Sequence, residues 1–175
     1  VRSDGKLDLV FVATGILHDG DAIRPEKRIS ELQPDALQRV LYVNAVAPAL
    51  VAKHFLPALG SRTKTVFAAL SARVGSISDN RLGGWASYRT SKAALNMLLR
   101  TFAIEHARSR PQSIIAALHP GTVATSLSAP FQARVPERQL FSPETSAAHL
   151  LNVINGLQPE DSGGFFAWDG SQIEY

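Results

Sequence analysis

The sequence predicts an α/β fold in which a mostly parallel sheet lies between layers of helices, and three observations carry that reading. Short apolar runs alternate with longer helical stretches, as in chains that cross over between parallel strands. The first three runs lack the strict apolar-polar alternation of half-exposed strands, so they read as strands covered on both faces. A length of 175 residues with 45% hydrophobic content is enough for one domain with a real core.

The four runs are Leu7 to Ala13, Thr65 to Leu70, Ile114 to Leu118 and Phe165 to Trp168. Between the first two, Pro34-Asp35 opens a helix that continues through Val40, Val46 and Leu50 to Phe55 or Leu56, where Pro57 ends it. Pro48 stands inside this helix. With no N–H of its own, it leaves the main-chain oxygen of Asn44 free to hold a water and predicts a kink. A second helix spans Ala86 to His106, with Leu95, Leu98, Leu99 and Phe102 as its stripe. Both helices carry more apolar surface than one buried face requires. Two readings of that surplus stand side by side: burial against the chain's own sheet, or a contact with another subunit. Ser142-Pro143-Glu144 supplies a capping hydroxyl, a first-turn proline and an acid for a third helix running to Ile154. The connection from Ser126 to Phe141 is long enough to serve as a lid or binding loop.

Composition removes several function classes. Eighteen Lys and Arg against fifteen Asp and Glu give a net charge of +3 without a basic block, so no nucleic-acid partner is expected. Cysteine is absent, which excludes disulfides and thiolate chemistry. No uninterrupted apolar run reaches the ~18 residues of a membrane span, so no membrane is expected and a cytoplasmic location is the default. The five histidines, His18, His54, His106, His119 and His149, show no paired spacing, and no metal is expected. Gly75-Ser76-Ile77-Ser78-Asp79 lacks the Gly-x-Ser-x-Gly spacing of a hydrolase nucleophile.

The candidate chemistry centres on Tyr88-Arg89-Thr90-Ser91-Lys92. Residues four apart share a helix face, so phenol and ammonium can point into one cleft. Bringing a phenol from its usual pKa of about 10 toward neutrality takes ~3 to 4 kcal/mol, the kind of field a nearby cation provides. Asn44, Ser71 beyond one strand end and His119-Pro120-Gly121-Thr122 beyond the next should converge there, since ligands of open parallel sheets bind outside the carboxyl ends of the strands.

The set resembles the short-chain dehydrogenase/reductase superfamily, most nearly its C-factor-like and sniffer-type carbonyl reductases. The resemblance is carried by Leu70-Ser71-Ala72-Arg73-Val74-Gly75-Ser76, by Tyr88 to Asn96, by Pro120-Gly121-Thr122-Val123-Ala124-Thr125, and by the terminal Gly163 to Gly170. It implies a Rossmann-like three-layer fold and hydride transfer between a nicotinamide cofactor, NADP or NAD with NADP favoured, and a small carbonyl or alcohol substrate. It also implies a homodimer or homotetramer.

By the same resemblance, Tyr88 would be the acid/base, and Lys92 would hold the nicotinamide ribose while lowering the phenol's pKa. Asn44 would anchor a relay water and Ser71 would bind the substrate oxygen. Pro120, Gly121, Thr122, Val123 and Thr125 would lie along the nicotinamide, and Ala13, Thr14 and Gly15 beside the adenine end.

Three departures are visible. Ala72 stands where the superfamily often has its second, working serine, which passes the role to Ser71 or else to Ser76. Val12-Ala13-Thr14-Gly15 replaces Asn-Asn-Ala-Gly. No glycine-rich strand-to-helix turn of the kind that cradles a diphosphate occurs. The last departure leads us to expect the C-terminal portion of a doubly wound domain, lacking its first strands. For such a piece the alternative to an enzyme is a non-catalytic signalling or interaction module. An apolar lid from Leu127 to Leu140, together with Trp85, predicts a modest hydrophobic carbonyl substrate.

Overall fold

The computed structural model describes residues 6–175. Its main sheet has four strands among the described residues: β1 (Leu9–Val12), β2 (Thr65–Leu70), β3 (Ser113–His119) and β6 (Phe165–Ala167). They lie side by side in that order and every pairing is parallel, with Val10 opposite Phe67, Phe67 opposite Ile115 and Leu118 opposite Phe166. Each predicted run supplies one strand; β2 coincides with its run, and the other three differ by a residue or two at their ends.

Alternation within the strands divides the core into two halves. Phe67 and Ala69 of β2 and Ile115 and Ala117 of β3 pack with Leu95, Leu99 and Ala103 of α3 (Ala86–Ala107) and Ala52 of α2 (Ala47–Phe55). Val66, Ala68, Ile114, Ala116 and Leu118 face the other way, onto Leu150 and Ile154 of α4 (Pro143–Gly156). The central strands are thus buried on both sides, which is why their sequences do not alternate. The result is the expected three-layer architecture.

The long first helix is built in three pieces: α1 (Pro34–Leu41), a π-helical turn over Tyr42–Val46, and α2. Within the turn, Ala47 N–H donates to the carbonyl of Tyr42. The structure therefore resolves the Pro48 problem by widening the helix for one turn. Asn44 sits in that bulge. By length and composition the run Pro34–Ala58 could cross a membrane. Its Asn44 is fully buried and bonded to two other parts of the chain, so it serves as a layer helix of the α/β fold. Of the two readings of the surplus apolar surface, burial accounts for the inner residues only. Tyr42, Val46, Leu50, Met97 and Ile104 remain exposed.

The connection from Ser126 to Phe141 is more structured than its sequence indicated. It holds 3-10 turns over Ala129–Arg134 and Glu137–Gln139, and ends in β5 (Leu140–Phe141), which pairs in parallel with β4 (Thr122–Val123). Two-residue strands leave no periodicity to read.

Candidate active site

The carboxyl ends of β1, β2 and β3 open onto a cavity of about 900 Å³. Tyr88 and Lys92, one turn apart on α3, form one wall, and Lys92 Nζ lies 5.7 Å from the centre of the Tyr88 ring. Ser71 stands at the end of β2, and Pro120, Gly121, Thr122, Val123 and Thr125 follow β3. Ala13, Thr14 and Gly15 complete the lining beyond β1. Of the residues expected to converge at the strand ends, Ser71 and His119 to Thr122 line the cavity. Asn44 and Ser76 are not on the cavity surface.

Asn44 is positioned by three side-chain bonds. Its Oδ1 accepts the N–H of Ile16 at 2.7 Å, and its Nδ2 donates to the Ile16 carbonyl at 2.8 Å and to Ser91 Oγ at 2.9 Å. Ser91 Oγ in turn donates to the carbonyl of Tyr88 at 2.8 Å. The carboxamide therefore ties the loop after β1 to the helix bearing the phenol.

Ser71 Oγ donates to Asn96 Oδ1 at 2.7 Å, and Asn96 Nδ2 donates to the Gly75 carbonyl at 3.4 Å. Ser76 Oγ instead accepts the N–H of Asp79 at 3.1 Å and lies 3.2 Å from Ser78 Oγ, closing its own turn. Of the two candidate serines only Ser71 reaches the cavity.

Two glycines are required by close approach. A Cβ on Gly75 would come within 2.8 Å of Lys92 Cβ, so glycine lets the turn after β2 settle against α3. Gly121 has φ +76, and a Cβ there would lie 2.6 Å from the Phe141 ring and 3.0 Å from Trp168. Gly121→Ala combines left-handed strain of about 1 to 2 kcal/mol with this overlap. We expect its melting temperature to fall by at least about 4 °C, readable by thermal denaturation.

The electrostatics differ from the sequence expectation. Burial pushes the Tyr88 phenol up to about 12 and the Lys92 ammonium down to about 8. The expected lowering of the phenol by the cation is absent: desolvation by burial is the cause of both shifts. The phenol is a standing proton donor at neutral pH. Lys92 Nζ gives one of its donors to the Leu70 carbonyl at 2.8 Å.

Burial also pushes His119, at the mouth of β3, down to about 4, with Arg73 lowering it further and Asp169 opposing. Its Nδ1 is enclosed without a hydrogen-bond partner. A histidine that binds protons less readily when folded leaves stability intact above its unfolded pKa and withdraws it as pH falls from about 6.5 toward 4. His119→Gln should flatten stability against pH in that window by up to about 3 kcal/mol. Denaturant titrations at several pH values would measure it, and an unchanged slope would dismiss His119 as the source.

Sequence reasoning missed Glu26, Ser91 and Asn96, whose partners are distant in the chain. Ser91 and Asn96, both inside the Tyr88–Asn96 motif, carried a local signal, and Glu26 carried none. Among the described residues, no group of three or more His, Asp or Glu is placed to hold a metal ion.

This geometry has a counterpart in sequence comparison: residues 1–135 match the family model described as short chain dehydrogenase. The chain belongs to the short chain dehydrogenases. These are NAD(P)-dependent oxidoreductases, and two relatives show how widely the likeness extends. The 1-hydroxy-2-glutathionyl-2-methyl-3-butene dehydrogenase of Rhodococcus sp. (strain AD45) is 34% identical over 97% of this chain and 69% of its own length. The C-signal protein of Myxococcus xanthus is 36% identical over 79% of this chain and 78% of its own. Among solved structures of short chain dehydrogenases, the carbonyl reductase Sniffer of D. melanogaster superposes with a TM-score of 0.83 at 27% identity, covering 99% of this chain and 68% of that one. The NADPH-bound carbonyl reductase from chicken fatty liver gives a TM-score of 0.81 at 27% identity, over 98% and 65% of the two chains.

Proposed function

We propose that this chain carries the carbonyl-reducing site of an NADP(H)-dependent oxidoreductase, with NAD(H) the less favoured cofactor. The observation that supports it most directly is the placement of Tyr88 and Lys92, one helical turn apart, together in the wall of an apolar cavity at the strand ends.

The residues fit a nicotinamide ribose. Lys92 Nζ has three donors, of which one is used on the Leu70 carbonyl, and Gly15 borders it, a Cβ there falling in van der Waals contact at 3.4 Å from Nζ. When bound, the nicotinamide supplies a hydride to the carbonyl carbon. Tyr88 gives the phenolic proton to the carbonyl oxygen, which stays bonded to its carbon as the hydroxyl of the alcohol product. Lys92 holds ribose hydroxyls and offsets the charge left on the phenolate. The backbone from Pro120 to Thr125 orients the ring, and Ser71, fixed by Asn96, stands on the substrate side. The apolar lining from Leu17, Leu127 and Phe131 favours an uncharged hydrophobic carbonyl compound.

Titration with NADPH and NADH, followed by nucleotide fluorescence and then by loss of reduced nucleotide with apolar aldehydes and ketones, tests the reading. Saturable NADPH binding with carbonyl-dependent oxidation is expected. Absence of nucleotide binding would overturn it in favour of the non-catalytic alternative.

A further inference from the structure

Glu26 is a buried acid that the proposed chemistry does not use; it is only 4% exposed. One carboxylate oxygen accepts the N–H of Ser87 at 3.2 Å, the other accepts the Ser87 hydroxyl, and the two residues are 61 apart in sequence. The main-chain carbonyl of Glu26 accepts the N–H of Trp85. Both ends of the residue thus hold the entrance to α3, one turn before the phenol.

A helix of this length ordinarily carries its own cap, a Ser, Thr, Asp or Asn at the residue before the first turn. Here that residue is Trp85, which gives no side-chain cap. Trp85 is also left-handed, with φ 54, following Gly83 at 64 and Gly84 at 68. Glycine adopts this conformation freely, whereas for tryptophan it costs about 1 to 2 kcal/mol. The strained conformation has a visible product. The indole lines the cavity, its centre 6.3 Å from the Tyr88 ring and 4.8 Å from Phe131. One position cannot present both a large ring to the cavity and a small acceptor to the helix, so the cap comes from elsewhere.

We propose that Glu26 is a positioning residue: by capping α3 from a distant loop it holds Trp85 left-handed and fixes the indole wall against which a carbonyl compound is laid beside the Tyr88 hydroxyl. The inference rests on the reading of Tyr88 as proton donor. Its effect is on the substrate side, because Lys92 and the Pro120–Thr125 backbone lie outside the clamp.

The test compares Glu26→Gln, Glu26→Asp and Ser87→Ala, each in the parent and in a Trp168→Phe background where Trp85 is the chain's remaining tryptophan. Glu26→Gln keeps one acceptor oxygen and replaces the other with an NH2, so the Ser87 N–H and hydroxyl can no longer both donate to the side chain. It should raise the carbonyl KM roughly tenfold while the NADPH dissociation constant stays within about twofold. Trp85 emission should shift to the red and become easier to quench. Glu26→Asp should recover part of both effects, and Ser87→Ala should show them more weakly. Wild-type carbonyl KM with unshifted emission would overturn the proposal. So would a loss of Vmax with both KM values unchanged, the mark of fewer folded molecules. If Glu26→Gln does not fold, Ser87→Ala decides by the same criteria. If the parent protein reduces no carbonyl compound, the functional reading fails, and the emission shift alone then decides whether the clamp exists.

Discussion

Tyr88→Phe should lower carbonyl reduction by about 10³-fold while leaving the NADPH dissociation constant and the melting temperature close to those of the parent. The substitution removes one oxygen from a side chain that is 8% exposed, and the ring keeps its packing against Leu17, Ile23 and Val40. Nothing that holds Lys92 or the loop after β3 passes through the phenolic oxygen. The lost quantity is the proton delivered to the substrate oxygen. Because burial places the phenol at about 12, reduction should be favoured at neutral pH, and the reverse oxidation should accelerate with rising pH only up to about 8, where Lys92 loses its charge. Initial rates in both directions across pH, with nucleotide binding measured separately, check both points. A Phe variant with parental turnover would remove Tyr88 from the mechanism.

Lys92→Met should abolish turnover and yet make the protein more stable. The ammonium is 3% exposed, and burial depresses it from 10.5 to about 8. That difference corresponds to about 3 kcal/mol of unfavourable desolvation. The sign follows from proton binding. Below pH 8 both folded and unfolded chains carry the proton, and the full penalty is present. Between 8 and 10.5 the folded chain releases its proton while the unfolded chain keeps it, so stability rises with pH. Methionine removes the penalty but forfeits the hydrogen bond to Leu70, at about 1 kcal/mol. The net gain of about 2 kcal/mol corresponds to a melting temperature about 4 to 8 °C higher at pH 7. The variant's stability should also be flat between pH 8 and 10.5. A variant less stable than the parent at pH 7 would show that the ammonium is compensated in the fold. The parent's carbonyl reduction should itself decline as pH passes 8, where the cation is lost.

These two residues also show how far the sequence was legible. Their spacing on one helix face was readable because helical geometry is local, and so were the strands, whose apolar runs stand out against the helices between them. The direction of the phenol's shift was not readable, because it depends on what other segments cover. Pro48 announced a disturbance at Asn44, but whether a helix answers a missing N–H by kinking or by widening depends on what packs around it. Glu26 was invisible for a related reason: a cap supplied across 61 residues leaves no pattern next to the helix it serves. Ser71 and Ser76 could not be separated by residue type; what separates them is the cavity that Ser71 alone of the two lines, with Asn96 holding one and the turn to Asp79 the other.

The helix α3 is the segment through which the chain passes from β2 to β3. Parallel neighbours cannot be joined by a tight hairpin, so a crossover must link them. The crossover that makes β2 and β3 neighbours is the same helix that carries the phenol to its cavity. A change that shortened or broke this link would strike the middle of the sheet and the reactive group together.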